Sequence, residues 1–81
     1  MRITFRYHAL VRERVGREEE SYDLPAQARV QDVLRCFCEK YPAVALLVGH
    51  CHLAVNDEFA EASQVLAEDD RVDLLPPYGG G

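Results

Sequence analysis

Residues 71–81 read RVDLLPPYGGG, and this stretch constrains the architecture more than any other part of the chain. Val72 and Leu74 alternate with their neighbours as the core-facing positions of a strand do. Two prolines follow at once, and because proline fixes φ and removes the backbone donor, the strand cannot continue past Leu75. We therefore expect one domain over residues 1–75 and a flexible tail over residues 76–81.

The tail itself predicts a function. Its three glycines carry no Cβ, so this thread can enter a channel too narrow for side chains. Most glycine-rich ends are idle, but this one joins its strand without a polar spacer. We expect the α-carboxyl of Gly81 to be the reactive group, with Pro76, Pro77, Gly79 and Gly80 as the residues that thread into a partner.

Period-two alternation predicts the remaining strands. Ile3, Phe5 and Tyr7 indicate an opening strand, and residues 12–17 indicate a loop. A second strand is expected over residues 18–24, with its Glu18-Glu19-Glu20 start in solvent rather than in a metal site. Further strands are expected over residues 50–56, weakly over 59–62, and over 71–75, with turns at Asn56-Asp57 and at residues 67–70.

One amphipathic helix is expected between the second and third strands. Its apolar stripe has helical spacing and consists of Val30, Val33, Leu34, Phe37 and Tyr41. Pro42 sets its end, whereas its start lacks a preferred capping residue. A single helical turn is expected over residues 43–48.

This order of elements favours an α+β fold in which one main helix covers one face of a mixed sheet of four to five strands. The first two strands form a hairpin, and the helix crosses over so that the first and last strands run parallel at the centre. That is the β-grasp, or ubiquitin-like, arrangement, with the tail projecting from a central strand.

Composition narrows the possible partners and the compartment. The 81 residues carry a net charge of −5, which argues against nucleic acid as a partner. No apolar run reaches membrane-spanning length, and no secretory signal is visible. Three cysteines, an odd number, favour a reducing compartment, so we expect a cytoplasmic protein without a membrane partner. Lys40 is the single lysine, which argues against polymerisation through side-chain amines.

No conventional active site is visible. Cys36 and Cys38 lie about 200° apart around a helix, and His50 and His52 would share a strand face without a third ligand, so we expect no metal site. Cys38 and Cys51 are expected to be small core residues. There is no glycine-rich phosphate loop.

Several landmarks carry a resemblance: Val11-Arg12-Glu13, Leu53-Ala54-Val55-Asn56, Asp69-Asp70-Arg71-Val72 and Leu75-Pro76-Pro77-Tyr78-Gly79-Gly80-Gly81. Over essentially its whole length the chain resembles the small subunits of molybdopterin synthase, a family within the ThiS-like group of ubiquitin-fold sulfur carriers. The Pro-Pro-x-x-Gly-Gly ending is its most specific motif. The chain departs from the family by having Asp69 where glycine is usual, which the turn should tolerate at a small cost.

The resemblance implies a function without a permanently bound cofactor. An E1-like adenylyltransferase would use ATP to adenylate Gly81, and a donor such as a cysteine desulfurase or rhodanese would supply sulfur to form a thiocarboxylate. The large subunit, which would hold the active site in a heterotetramer, would pass this sulfur to a pterin precursor of molybdopterin. Phe59 and Leu75 match hydrophobic partner contacts, and His8 stands where an aromatic residue is common. A place for Phe59 in the core is the alternative.

Three other functions stay open at this point. The thiocarboxylate could serve thiazole, cysteine or tRNA thiolation. Gly81 could instead be joined to lysines, as in a ubiquitin-like modifier. The domain could also be a passive β-grasp interaction module whose tail is idle.

Overall fold

The computed structural model describes residues 1–77, and within that range the chain forms five strands and three helices. In chain order these are β1 (Arg2–Tyr7), α1 (Ala9–Val15), β2 (Glu19–Asp23), α2 (Val30–Lys40), α3 (Ala45–Val48), β3 (His52–Val55), β4 (Glu58–Ala60) and β5 (Arg71–Leu75). The predicted tail residues Gly79, Gly80 and Gly81 lie outside the described range. None of the described helices is long and apolar enough to cross a membrane.

The sheet has the strand order β2-β1-β5-β3-β4, which is the predicted β-grasp topology. β1 and β5 run parallel at its centre, with Tyr7 opposite Leu74. The other neighbouring pairs, β1 with β2, β3 with β5 and β3 with β4, are antiparallel. Because β5 is hydrogen-bonded on both sides, the chain beyond Leu75 leaves from the middle of the sheet.

One face of the sheet forms the core with the helices. Ile3, Phe5 and Tyr7 of β1 alternate with exposed or half-buried residues, and Val72 and Leu74 of β5 are equally buried. All three helices contribute to this one cluster, α2 most of all through its buried residues Val30, Val33 and Phe37. The opposite face, which we call the open face, is not covered by any described helix.

The structure corrects the predicted loop over residues 12–17. Ala9–Val15 is the helix α1, which ends at Gly16 in the left-handed conformation, where the Gly16 N–H bonds the Arg12 carbonyl at 2.8 Å. Its buried residue Val11 and its partly buried Val15 are four positions apart and share one helical face. Two core-facing positions, one helical turn apart, were too few to indicate a helix of seven residues.

At the start of α2, other hydrogen bonds take the place of the missing side-chain cap. Arg29 precedes the helix and provides no side-chain cap. Instead, the Asp32 carboxylate accepts the Arg29 backbone N–H at 2.7 Å, while the Arg29 guanidinium donates to the Ser63 carbonyl at 2.6 Å. An acidic residue in the first turn also suits the positive end of the helix dipole.

Candidate functional site

The end of β5 lies beside two histidines. Leu75 is the last residue of β5 and lies opposite His52 at the start of β3. His8 follows Tyr7 at the end of β1, the parallel neighbour of β5. Pro76 and Pro77 therefore follow β5 beside these side chains.

A shallow pocket of about 260 Å³ lies on the open face. Its lining is formed by Arg6, His8, Ala54, Asp57, Phe59, Arg71, Asp73 and Leu75. We call it the open-face pocket. It brings together all three residues expected to contact a partner, Phe59, Leu75 and His8, although they come from three strands or their ends.

Phe59 is the most prominent apolar residue of this surface. It is 82% exposed on the edge strand β4, opposite Ala54 of β3, and its ring centre lies 6.0 Å from that of His52. The alternative that Phe59 belongs to the core is therefore wrong. A large ring in solvent at the rim of a pocket is typical of a surface that a partner covers.

Asp73 forms the floor of the open-face pocket and was not singled out from the sequence. It is only 5% exposed, although it lies on the open face between the buried positions Val72 and Leu74. Its carboxylate lies 2.9 Å from His8 Nε2, 3.1 Å from Arg71 Nε and 4.0 Å from Arg6 Nε. In the sequence, the only indication of a special role for Asp73 was that a charged residue stands in the middle of a strand expected to be central.

Arg71 ties this floor to the neighbouring turn. Its guanidinium contacts Asp73 and Asp57, and its backbone N–H donates to the Asn56 side chain at 3.0 Å. The hydrogen bond and the charge of Asp73, together with Asp57, raise the pKa of Arg71 above its usual value. The open-face pocket thus has a fixed, internally paired polar floor and an apolar rim.

A second polar cluster lies on the core side and corrects the expectation that Glu18-Glu19-Glu20 is wholly solvated. Glu20 is buried and accepts hydrogen bonds from Tyr7 at 2.7 Å, Lys40 at 2.6 Å and Tyr41 at 3.0 Å. Burial alone would raise its pKa, but these donors outweigh that effect and leave the pKa below its usual value. This cluster joins β1, β2 and the end of α2, and we interpret it as structural.

The histidines and cysteines form no metal site in residues 1–77. His50 lies before β3 begins, so it does not share a strand face with His52 as expected. All three cysteines are free and half-buried, and Cys51 donates its S–H to the Leu47 carbonyl at 3.1 Å. Burial raises the pKa of Cys38 and of Cys51, which disfavours the nucleophilic thiolate.

Comparisons with known sequences identify the family of this chain. A model of the ThiS family matches residues 5–81. The molybdopterin synthase sulfur carrier subunit of Chlamydomonas reinhardtii is 30% identical over 83 residues, covering all of both chains. That of Caenorhabditis briggsae is 32% identical over 69 residues, covering 83% of this chain and 82% of the other.

Solved structures agree on the fold. SAMP1, the small archaeal modifier protein 1 of Haloferax volcanii, superposes with a TM-score of 0.88 at 25% identity over all of both chains. A chain from the complex of subunits 1 and 2 of the molybdopterin-converting factor of Helicobacter pylori gives 0.73 at 21% identity, again over all of both chains.

Proposed function

The chain belongs to the ThiS family, and we propose on that basis that it carries sulfur on the α-carboxyl of Gly81 as the small subunit of a molybdopterin synthase. The observation that carries this proposal is the course of β5. The central strand ends at Leu75 and passes without a spacer into Pro76 and Pro77, at the edge of the open-face pocket. A docked partner would thus receive the tail beside its own contact surface.

Activation is the first step of the proposed chemistry. A carboxylate oxygen of Gly81 attacks the α-phosphorus of ATP in an E1-like adenylyltransferase, and pyrophosphate leaves. The acyl-adenylate has a good leaving group, so a persulfide donor can attack the acyl carbon and expel AMP. A thiol then reduces the resulting acyl disulfide by two electrons, which releases the thiocarboxylate.

Sulfur transfer is the second step. The thiocarboxylate sulfur attacks an electrophilic carbon of a pterin precursor bound to the large subunit, and the oxygen substituent on that carbon leaves with a proton. Water then hydrolyses the acyl–sulfur bond, so the sulfur stays on the pterin. Hydrolysis returns Gly81 as a carboxylate, ready for another activation. Glycines suit this role because both acyl transfers require close approach of the backbone, and the prolines reduce the entropy lost when the tail is inserted.

The partner surface in this proposal is the open-face pocket with its exposed rim. The structure from Helicobacter pylori contains a relative of similar fold together with subunit 2 of the same factor. By analogy, we propose that the large subunit covers Phe59, Leu75 and His8 and so directs the tail into its active site. The rim provides the apolar area for such a contact, while the paired charges of the floor limit the cost of desolvation.

Reconstitution with purified partners tests the function directly. With the activating enzyme, ATP, a sulfur donor, the large subunit and the pterin precursor, the full chain should support dithiolene formation. A chain without Gly80 and Gly81 should be inactive yet fold normally, whereas Lys40→Arg should remain active. Dithiolene formation by the shortened chain would contradict the proposal.

A modifier function is the second candidate, favoured by the likeness to SAMP1 across the whole chain. In that case the activated Gly81 would form an amide with lysines of other proteins. Expression of a tagged chain with the activating enzyme should then give higher-mass conjugates that hydroxylamine leaves intact. The sulfur-carrier proposal predicts a single species of unconjugated mass.

A further inference from the structure

His8 is held on the open face by a hydrogen bond to a buried carboxylate. Its Nε2 lies 2.9 Å from Oδ1 of Asp73, whose side chain is almost fully buried, while the His8 side chain is 34% exposed. Among the residues that the structure describes, no group is hydrogen-bonded to the other ring nitrogen, Nδ1. Nε2 thus faces Asp73, and Nδ1 is left to form a hydrogen bond with a bound partner.

Asp73 fixes which nitrogen carries the proton. The second oxygen of Asp73 accepts from Arg71 Nε at 3.1 Å, and Arg6 Nε lies 4.0 Å from the first, so the carboxylate is compensated as an anion. An ionised carboxylate can only accept, so the facing Nε2 of a neutral imidazole must donate. Nδ1 then carries a lone pair and acts as an acceptor.

We propose that His8, oriented by Asp73, is a specificity-determining hydrogen-bond acceptor of the open-face pocket, and that the covering protein presents an N–H or O–H donor to Nδ1. This inference rests on the proposed function, because it takes the large subunit as the occupant. The apolar contacts of Phe59 and Leu75 are not directional and select weakly between partners. The Nδ1 acceptor of His8 has a fixed position, so it requires a donor at a matching position on the partner. A partner without that donor would leave Nδ1 buried and unpaired, which is unfavourable.

Protonation of His8 would oppose this contact. The charged groups around the ring are Asp73 and Arg71 of β5, Arg6 of β1 and Asp57 of the turn, and β4 contributes the uncharged Phe59. From α1, the backbone N–H groups of Val11 and Arg12 donate to the His8 carbonyl. An imidazolium would turn Nδ1 into a donor that faces the partner's donor, so binding requires the neutral ring.

The free protein provides the first test. Long-range 1H–15N correlation spectra at neutral pH should show His8 with its proton on Nε2, whereas the exposed His50 should show the usual mixture of tautomers. A His8 ring with its proton on Nδ1 would overturn the inference without any reference to a partner. The same spectrum of Asp73→Asn should show loss of the Nε2–H preference.

Affinity for the cognate large subunit provides the second test. At neutral pH, His8→Phe, which keeps a ring but has no acceptor nitrogen, should bind roughly tenfold more weakly than the wild-type chain because the partner's donor is left unpaired. His8→Gln, whose amide keeps both a donor for Asp73 and an acceptor, should retain most of the affinity. His50→Phe, the same change at an exposed histidine outside the open-face pocket, should leave the dissociation constant unchanged.

The outcomes separate this inference from the proposed function. An unchanged dissociation constant in His8→Phe would remove His8 from the contact, which overturns the inference while the partner stands. Binding that survives Phe59→Ala unchanged would instead contradict the proposed surface. Circular dichroism of each variant shows that the fold is intact.

Discussion

Glu20 holds three elements together at the residue scale. Its carboxylate in β2 accepts from Tyr7 of β1, from Lys40 at the end of α2 and from Tyr41 just after it. Each donor removes part of the penalty for burying a charge. The same contact places the only lysine in an ion pair of 2.6 Å.

Replacing Glu20 by Gln should therefore lower the free energy of unfolding by about 2–3 kcal/mol at neutral pH, because hydrogen bonds to a buried charge are lost. Guanidinium denaturation measures this, with Glu13→Gln on the exposed side of α1 as the matched control within about 0.5 kcal/mol. A loss no larger than that of the control would show that the buried carboxylate does not stabilise the fold.

The pH dependence of stability follows from the same residue. Since folding lowers the pKa of Glu20, its contribution is present above the usual value of 4.5 and is lost as the pH falls through the folded value. Burial raises the pKa of the Tyr7 hydroxyl above its usual value of 10.0. Above about pH 10 the unfolded chain ionises this group and the folded chain does not, so the free energy of unfolding falls. The difference between wild type and Glu20→Gln should shrink below about pH 4.5, and a constant difference down to acid unfolding would contradict this account.

Phe59 should matter for binding and not for stability. Because its ring is 82% exposed, Phe59→Ala should change unfolding by no more than about 0.5 kcal/mol. It should weaken association with the large subunit by about 2 kcal/mol, roughly thirtyfold, as expected for a central aromatic contact. Leu46→Ala is the matched control, since Leu46 is 86% exposed on α3, in the helical layer. Calorimetry that finds equal affinities for both variants would place the interface elsewhere.

At the scale of elements, the turn before β5 places a residue other than glycine in the left-handed conformation. Asp69 has φ of 67°, in the left-handed region that glycine adopts without strain. The Asp69 N–H nevertheless bonds the Arg2 carbonyl at 2.9 Å, and the turn is intact, as predicted.

Asp69→Gly should thus be neutral or stabilise the fold by about 0.5 kcal/mol. Asp69→Ala should cost about 1 kcal/mol, because alanine keeps the crowded Cβ but lacks the short polar side chain that lets aspartate tolerate this φ. Thermal unfolding of the two variants measures the difference. A more stable alanine variant would show that the turn does not require this conformation.

Elements with a strong period were predictable from the sequence, and short ones were not. β1, β5 and α2 each present several apolar residues at a fixed spacing, and α2 begins at Val30 as expected. α1 has one buried residue, Val11, and its boundaries depend on tertiary packing against the sheet. The burial of Glu20 could not be predicted for a related reason, because its hydrogen-bond donors lie in elements that are distant in the sequence.

At the scale of the whole molecule, the open face explains why the candidate site was only partly predictable. Phe59, Leu75 and His8 could be proposed singly, but the strand order β2-β1-β5-β3-β4 is what places them around one pocket. Asp73 and the His8 contact depend on side-chain geometry that no spacing in the sequence encodes. The family ending, in contrast, is a local motif and needed no fold to be recognised.

The central claim is that the working group is the α-carboxyl of Gly81, and intact mass spectrometry tests it most directly. The purified chain would be incubated with its activating enzyme, ATP and a sulfur donor, beside a chain without Gly80 and Gly81. The claim predicts a mass increase equal to the replacement of one oxygen by sulfur, located at Gly81 by fragmentation and absent from the shortened chain. An unchanged full-length mass, or sulfur located on a cysteine, would contradict it.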